Sequence, residues 1–204
     1  MSKTTVFTKE NGLDVIFRHD YDDLEIMRSI AEYTVKSCQY LEKFLDNVVG
    51  SKNFKSYLDV GCANTISIDY FSKLFSECRG LDLYPATSDP RIIEGDFYKL
   101  SEYVDSPVDV LFCNHTLEHS YAPKLLEQFN KIQPIGGVLF IAVPDCDYSW
   151  AYDITQSTSH WCIFNEGFLR TLVSRYGYEV SVSKQIFRDQ KGELFLVGIK
   201  RWTI

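Results

Sequence analysis

The sequence lacks long hydrophobic runs and any concentration of positive charge. No segment approaches the roughly 18 consecutive apolar residues of a membrane-spanning helix, and residues Met1–Phe7 contain no apolar stretch typical of a signal peptide. The 204 residues carry a formal net charge of −7, which would repel nucleic acid and anionic membranes. We therefore expect a cytoplasmic protein without a nucleic-acid partner or membrane association.

Cysteine occurs only as isolated residues. The six cysteines form no CxxC pair, so in an intracellular chain they predict free thiols rather than a disulfide framework. Aromatic residues, in contrast, are plentiful, with 13 tyrosines and 14 phenylalanines. A chain of this length and composition can bury one sizeable core and line a pocket with rings, which predicts a single main domain.

The first quarter of the chain differs in pattern from the rest. Residues 4–18 alternate around Asn11 and Gly12, which predicts a hairpin with a type I′ turn. Asp22 and Asp23 can cap a following helix, and Gly50 can end it. We expect residues 1–50 to be an accessory element or lid and 51–204 to be the main domain. The aromatic-rich segment 146–162 is a second lid candidate.

From residue 56 onward, short apolar runs alternate with helical patterns. The expected strands are 56–60, 79–83, 91–95, 108–113, 137–143, 178–187 and 194–201, and the expected helices are 66–76, 123–132 and 165–176. Alternation of this kind predicts right-handed βαβ units, and the short loop 188–192 requires an antiparallel hairpin. The predicted fold class is α/β: one Rossmann-like, seven-stranded mixed sheet with a terminal antiparallel hairpin and helices on both faces.

Polar residues follow the first four predicted strands. Asp59 and Gly61 end the first strand, Asp82 the second, Asp96 the third and Asn114 the fourth. In an open α/β sheet, ligands bind beyond the carboxyl ends of the strands, where the strand order reverses. The spacing therefore predicts one ligand site built from these loops.

Residues Asp109–Asp145 carry a more specific pattern, with the triplet Leu117-Glu118-His119 and a proline–glycine–glycine turn before the fifth strand. This stretch resembles class I S-adenosylmethionine-dependent methyltransferases of the small-molecule branch, and the resemblance extends over about residues 54–200. It implies methyl transfer from S-adenosylmethionine to a small molecule.

The resemblance also implies roles for individual residues. The loop at Asp59, Gly61 and Ala63 would hold the methionine part of the cofactor. Besides these three residues, the implied cofactor-binding residues are Asp82 near the ribose with Leu83 next to it, Asp96 and Phe97 near the adenine, and Asn114 near the ammonium group. This sequence departs from the G-x-G-x-G loop pattern because Ala63 and Thr65 replace the second and third glycines, which predicts weaker cofactor binding.

Three of the four histidines form a candidate metal site. His115, Glu118 and His119 have the i, i+3, i+4 spacing of one helix face, and His160 follows in a segment expected over the same cleft. The set resembles metal-dependent O-methyltransferases, which carry Glu-x-x-Glu-His and a later histidine, and it departs from them at His115. A divalent Zn, Mn, Fe or Mg ion is implied, and the extra imidazole favours the first three.

Other interpretations stay open at this point. His115 or His119 can instead act as a metal-free general base, or these histidines can be structural. An oxygen nucleophile is favoured, such as a hydroxyl of a polysaccharide or natural-product precursor. The alternative function is a catalytically silent domain that binds the cofactor or a partner. A nicotinamide-dependent oxidoreductase is disfavoured because no GxGxxG loop follows the first strand.

Overall fold

The computed structural model describes residues 24–49, 54–148, 160–186 and 192–204. The predicted hairpin at 4–18, the helix stop at Gly50, most of the lid candidate 146–162 and the loop 188–191 lie outside these residues. The division of the chain at residue 50 stays a prediction.

The chain alternates strands and helices as predicted. Its elements are α1 (Leu24–Phe44), a π-helical turn (Leu45–Val49), β1 (Ser56–Val60), α2 (Ile66–Phe71), β2 (Glu77–Asp82), β3 (Ile92–Glu94), a 3-10 turn (Phe97–Lys99), α3 (Leu100–Tyr103), β4 (Val110–Asn114), a second 3-10 turn (Leu117–His119), α4 (Ala122–Ile132), β5 (Val138–Pro144), α5 (Glu166–Arg175), β6 (Tyr178–Ile186) and β7 (Gly192–Lys200). Helix α2 is shorter than predicted and ends at Phe71, where the hydroxyl of Ser72 donates to the carbonyl of Asp69 and competes with the helical pattern.

The seven strands form one mixed sheet in the order β3-β2-β1-β4-β5-β7-β6. Strands β1 to β5 are parallel, whereas β7 runs antiparallel between β5 and β6. Every residue of β5 is buried, as expected for a strand covered on both faces. The predicted α/β sheet and its terminal antiparallel hairpin are confirmed.

Helices cover both faces of the sheet because residues of the central strands alternate between two cores. Leu111 and Cys113 of β4 face a core completed by α3, α4 and α5. Val110 and Phe112 of the same strand face a second core, which includes Cys38 and Leu41 of α1. Helix α1 is thus packed into the domain through fully buried side chains. This packing fixes its position relative to the carboxyl end of β4.

Candidate functional site

The strand order reverses between β1 and β4, and the carboxyl edge of the sheet at such a reversal is where open α/β sheets bind ligands. The loops after β2 and β3 reach the same edge because β1 to β4 are parallel. All the residues predicted to bind the cofactor lie on these loops or at the adjoining strand ends.

The loop after β1 has an unusual backbone. Gly61 has φ of 78° and Ala63 has φ of 53°, a left-handed conformation that alanine adopts only at a cost. The N–H of Gly61 donates to the carbonyl of Leu81 at 2.7 Å. A Cβ added at Gly61 would clash with the side chain of Thr116. Glycine is therefore required here by the packing of Thr116 as well as by φ.

Asp82 joins the β1 and β2 loops. Its Oδ2 accepts from the backbone N–H of Ala63 at 2.8 Å, and its Oδ1 accepts from the N–H of Tyr84 at 2.8 Å. Burial raises the pKa of Asp82, while these two bonds oppose that rise. Each carboxylate oxygen still has a second lone pair, so the half-buried carboxylate can also accept from ribose hydroxyls.

Asp59 lies beneath the loop rather than on its surface. It is 3 % exposed, and its Oδ2 accepts from the hydroxyl of Ser67 on α2. Burial raises the pKa of Asp59 to about 7, against the lowering effect of the Ser67 bond. Its other oxygen, Oδ1, has no hydrogen-bond partner among the described residues.

The residues predicted to face the adenine begin the first 3-10 turn. Asp96 caps this turn, since its carboxylate accepts from the N–H of Tyr98 at 2.9 Å. Phe97 is half-buried, and its ring lies edge-on to that of Tyr98, with centroids 4.8 Å apart. The capping bond holds the Asp96 carboxylate at the start of this turn, next to Phe97, and the roles of the two residues toward the adenine stay a prediction.

Asn114 connects the end of β4 to helix α1. Its Oδ1 accepts from the hydroxyl of Ser37 at 2.7 Å, and its carbonyl accepts from the hydroxyl of Thr116 at 3.3 Å. Ser37 was not predicted as a site residue. A buried serine on the core-facing side of an amphipathic helix was the available signal, but its partner is distant in sequence.

Of the four residues predicted as metal ligands, three lie together, and the fourth, His115, forms a bridge between two carboxylates. One ligand atom each from Glu118, His119 and His160 lies within 4.8 Å of the others, and the two imidazole rings have centroids 4.6 Å apart. His115 is not part of this group. Its Nδ1 lies 3.2 Å from Glu118 Oε1, and its Nε2 lies 3.2 Å from Glu193 Oε1.

The local backbone explains this separation. Residues Leu117–His119 form a 3-10 turn, and His115 has φ of 52°. The i, i+3, i+4 spacing therefore does not place the three side chains on one face of an α-helix. The N–H of His115 instead donates to the carbonyl of Ala142 at 2.9 Å, which fixes the residue beside β5.

The charges around His115 and Glu118 shift the pKa values of both groups. Burial alone would lower the pKa of His115, but the negative charges of Glu193 and Glu118 raise it well above its ordinary value. Burial opposes ionisation of Glu118, but the bond from His115 and the positive charge of His119 lower its pKa overall. Unlike His115 and Glu118, Glu193 was not predicted as a site residue. The available signal was a single acidic residue in the apolar run of β7.

The residues present fit both implied groups. S-adenosylmethionine carries an ammonium and a sulfonium and no pyrophosphate, and the loops offer carboxylate and carbonyl acceptors at Asp82, Asp96 and Asn114. For a metal, Glu118 is 1 % exposed and retains one oxygen, Oε2, without a hydrogen-bond partner among the described residues. A buried carboxylate oxygen beside two imidazoles is a donor set suited to borderline divalent metals.

Comparison with known proteins identifies a family. A family model described as a methyltransferase domain matches residues 29–182, more than half of the chain. No curated protein gives a significant sequence match.

Within the described part of the chain, no helix has the length and apolar character needed to cross a membrane.

Solved structures share the fold at low sequence identity. The YcgJ protein from Bacillus subtilis is 12% identical with a TM-score of 0.66, covering 82% of this chain and 99% of its own. An S-adenosylmethionine-dependent methyltransferase from Clostridium acetobutylicum is 13% identical with a TM-score of 0.63, covering 88% and 96%. Magnesium protoporphyrin IX methyltransferase from Synechocystis, with bound S-adenosylmethionine, is 11% identical with a TM-score of 0.59, covering 91% and 86%.

The family match, the sheet order with its terminal antiparallel hairpin and the acceptor groups at the carboxyl edge of the sheet agree with one another. The chain belongs to the methyltransferase domain family and is an S-adenosylmethionine-dependent methyltransferase.

Proposed function

We propose that the protein methylates a hydroxyl group of a small molecule with the assistance of a divalent metal. The observation that carries this proposal is the grouping of Glu118, His119 and His160 directly after β4. Asn114, the proposed contact for the cofactor's methionine end, terminates the same strand. A metal-bound hydroxyl at this group would therefore lie near the methyl group.

The cofactor is held, in this proposal, by groups whose positions are already fixed. Asp82 receives the ribose hydroxyls with Leu83 beside it, and Asp96 accepts from the adenine amino group with Phe97 against the ring. The loop from Asp59 through Gly61 and Ala63 and the Asn114 carbonyl surround the methionine part. When bound, the cofactor would supply a methyl carbon on a positively charged sulfur. The acceptor oxygen forms a bond to this carbon while the carbon–sulfur bond breaks, the neutral thioether leaves, and the hydroxyl proton is released to solvent. Fixing oxygen, carbon and sulfur in line is the main contribution of the protein.

Glu118, His119 and His160 are the proposed metal ligands. When bound there, a divalent metal would lower the pKa of the acceptor hydroxyl and orient it. The remaining carboxylate oxygen of Glu118 contributes negative charge, and the two imidazoles favour Zn, Mn or Fe over Mg. His115 does not serve as the general base in this proposal, because both of its ring nitrogens already face carboxylates.

The cofactor assignment is tested by calorimetric titration with S-adenosylhomocysteine. We expect saturable one-to-one binding that Asp82→Ala weakens at least about 10-fold, since a charged acceptor contributes about 1.5–3 kcal/mol. The matched control is Asp105→Ala, an exposed aspartate between α3 and β4, which should bind as the wild type does. Equal affinities of the two variants would contradict the role of Asp82.

The metal assignment is tested by elemental analysis of protein purified without a histidine tag. We expect about one equivalent of metal in the wild type and in the control Glu127→Gln, an exposed position on α4, and loss of the metal in His119→Ala. Methyl transfer from labelled cofactor to hydroxyl-bearing and amine-bearing acceptors should give an O-methyl product that disappears with a chelator. Sub-stoichiometric metal in all three proteins, or chelator-resistant transfer, would refute metal assistance.

A further inference from the structure

Glu193 is a buried acid with no role in the cleft described so far. It is 2 % exposed and begins an otherwise apolar stretch of β7, where it pairs with Pro144 at the end of β5. An ionised carboxylate at such a depth costs several kcal/mol unless it is paired and hydrogen-bonded. Its partner is His115 Nε2 at 3.2 Å, so β7 supplies a charge to the β4 loop.

His115 connects this acid to Glu118. Each ring nitrogen of His115 lies within hydrogen-bonding distance of one carboxylate oxygen. Nδ1 faces Glu118 and Nε2 faces Glu193, both at 3.2 Å. Both nitrogens are thus occupied by carboxylates, and His115 is not among the grouped ligand atoms, so it is a bridge rather than a ligand.

One carboxylate oxygen of Glu118 is hydrogen-bonded in this bridge, and the other is not. Oε1 is held by His115, and Oε2 is buried without a hydrogen-bond partner among the described residues. The backbone of the same residue is also fixed, because its carbonyl accepts from the N–H groups of Trp161 and Cys162 at 2.8 and 3.2 Å. These two residues directly follow His160, so Glu118 and His160 are positioned together.

We propose that Glu193 is a positioning residue of the metal site: through His115 it holds the Glu118 carboxylate in place beside His119 and His160. This inference rests on the metal-assisted function proposed above. Groups that orient a ligand in this way typically contribute 10- to 100-fold, as an order of magnitude, to metal affinity.

The test is a competition titration of metal-free protein with Zn²⁺ against a chromophoric chelator. We expect Glu193→Ala to weaken Zn²⁺ binding about 10- to 100-fold. Glu193→Gln should bind more tightly than Glu193→Ala, since the amide oxygen can still accept from Nε2. Val197→Ala, a buried position four residues further along β7, controls for lost strand packing and should leave the affinity unchanged.

A second variant distinguishes an effect of Glu193 transmitted through His115, here called the relay, from a general loss of structure. His115→Asn interrupts the relay at its centre, and asparagine tolerates a positive φ. If Glu193 acts only through His115, the double variant Glu193→Gln/His115→Asn should bind Zn²⁺ no more weakly than His115→Asn alone. Fully additive losses would overturn the proposal, and this comparison stays informative if Glu193→Ala does not fold.

His119→Ala separates this inference from the function on which it rests. If the wild type binds Zn²⁺ and His119→Ala loses it while Glu193→Ala binds as the wild type does, the metal site stands and the role of Glu193 is refuted. If the wild type binds no more tightly than His119→Ala, the metal site itself is refuted, and the role of Glu193 with it.

Discussion

Replacing Ala63 with glycine tests whether the loop after β1 is strained. Ala63 has φ of 53°, in the left-handed region that costs a residue with a Cβ about 1–2 kcal/mol. The loop cannot relax freely, because the N–H of Ala63 donates to Asp82 and its carbonyl accepts from the N–H of Ala86 at 2.7 Å. Glycine removes the strain without removing either bond.

The expected magnitude follows from two opposing effects. Glycine relieves about 1–2 kcal/mol of strain but stabilises the unfolded chain by about 0.4–1 kcal/mol through added backbone freedom. We expect Ala63→Gly to raise the free energy of unfolding by about 0.5–1 kcal/mol. Ala86→Gly, in the neighbouring loop at a residue without positive φ, carries only the unfolded-state effect and should lower it by about 0.4–1 kcal/mol.

The assay is equilibrium unfolding in urea, with the midpoint and slope compared among the wild type and both variants. The difference between Ala63→Gly and Ala86→Gly should be about 1–2 kcal/mol and reports the strain alone. If both variants lose stability equally, Ala63 is not strained and the loop geometry described here is wrong. S-adenosylhomocysteine affinity should not fall in Ala63→Gly, since the backbone already has the conformation that glycine favours.

Two further predictions concern stability. Because burial raises the pKa of Asp59 to about 7, its contribution to stability is fully present below about pH 4 and is lost as the pH rises through about 7, by up to about 4 kcal/mol. Urea unfolding at several pH values should therefore show a smaller loss between pH 4 and 8 in Asp59→Asn, and parallel profiles would contradict the burial of this charge. Gly61→Ala combines a left-handed φ with a clash against Thr116 and should cost about 2–5 kcal/mol. The control Gly167→Ala, on the exposed side of α5, places its methyl group in ordinary contact with Asn165 Oδ1 at 3.7 Å and should instead stabilise by up to about 1 kcal/mol. Similar losses in both variants would refute the packing argument.

The strands were predictable because their signals are local. The apolar run Val138–Val143 lies between turn residues, and its burial on both faces needs no information from elsewhere in the chain. The terminal hairpin followed from a loop too short for a parallel crossover. The positions of Asp82, Asp96 and Asn114 at strand ends followed from the fold class, since parallel strands bring their carboxyl ends to one edge.

The arrangement of the histidines was not predictable in the same way. The spacing of His115, Glu118 and His119 indicates one helix face only if the segment is an α-helix, and the backbone turns at His115 instead. The pairing of His115 with Glu193 depends on β7 lying antiparallel beside β5, which is a tertiary fact. A lone acid in an apolar strand signals that a partner exists, but not which residue provides it.

The buried acids at the carboxyl edge of the sheet are better explained by ligands than by stability. Asp59, Glu118 and Glu193 are each at most 3 % exposed, and each retains one oxygen without a hydrogen bond among the described residues. Groups of this kind destabilise a free protein, so packing alone gives no reason for three of them at one edge. A cationic cofactor and a divalent metal would both offset that cost when bound. Asp59→Asn should therefore stabilise the ligand-free protein at neutral pH while reducing the stability that it gains from the cofactor, whereas an acid placed for structure alone would show no such exchange.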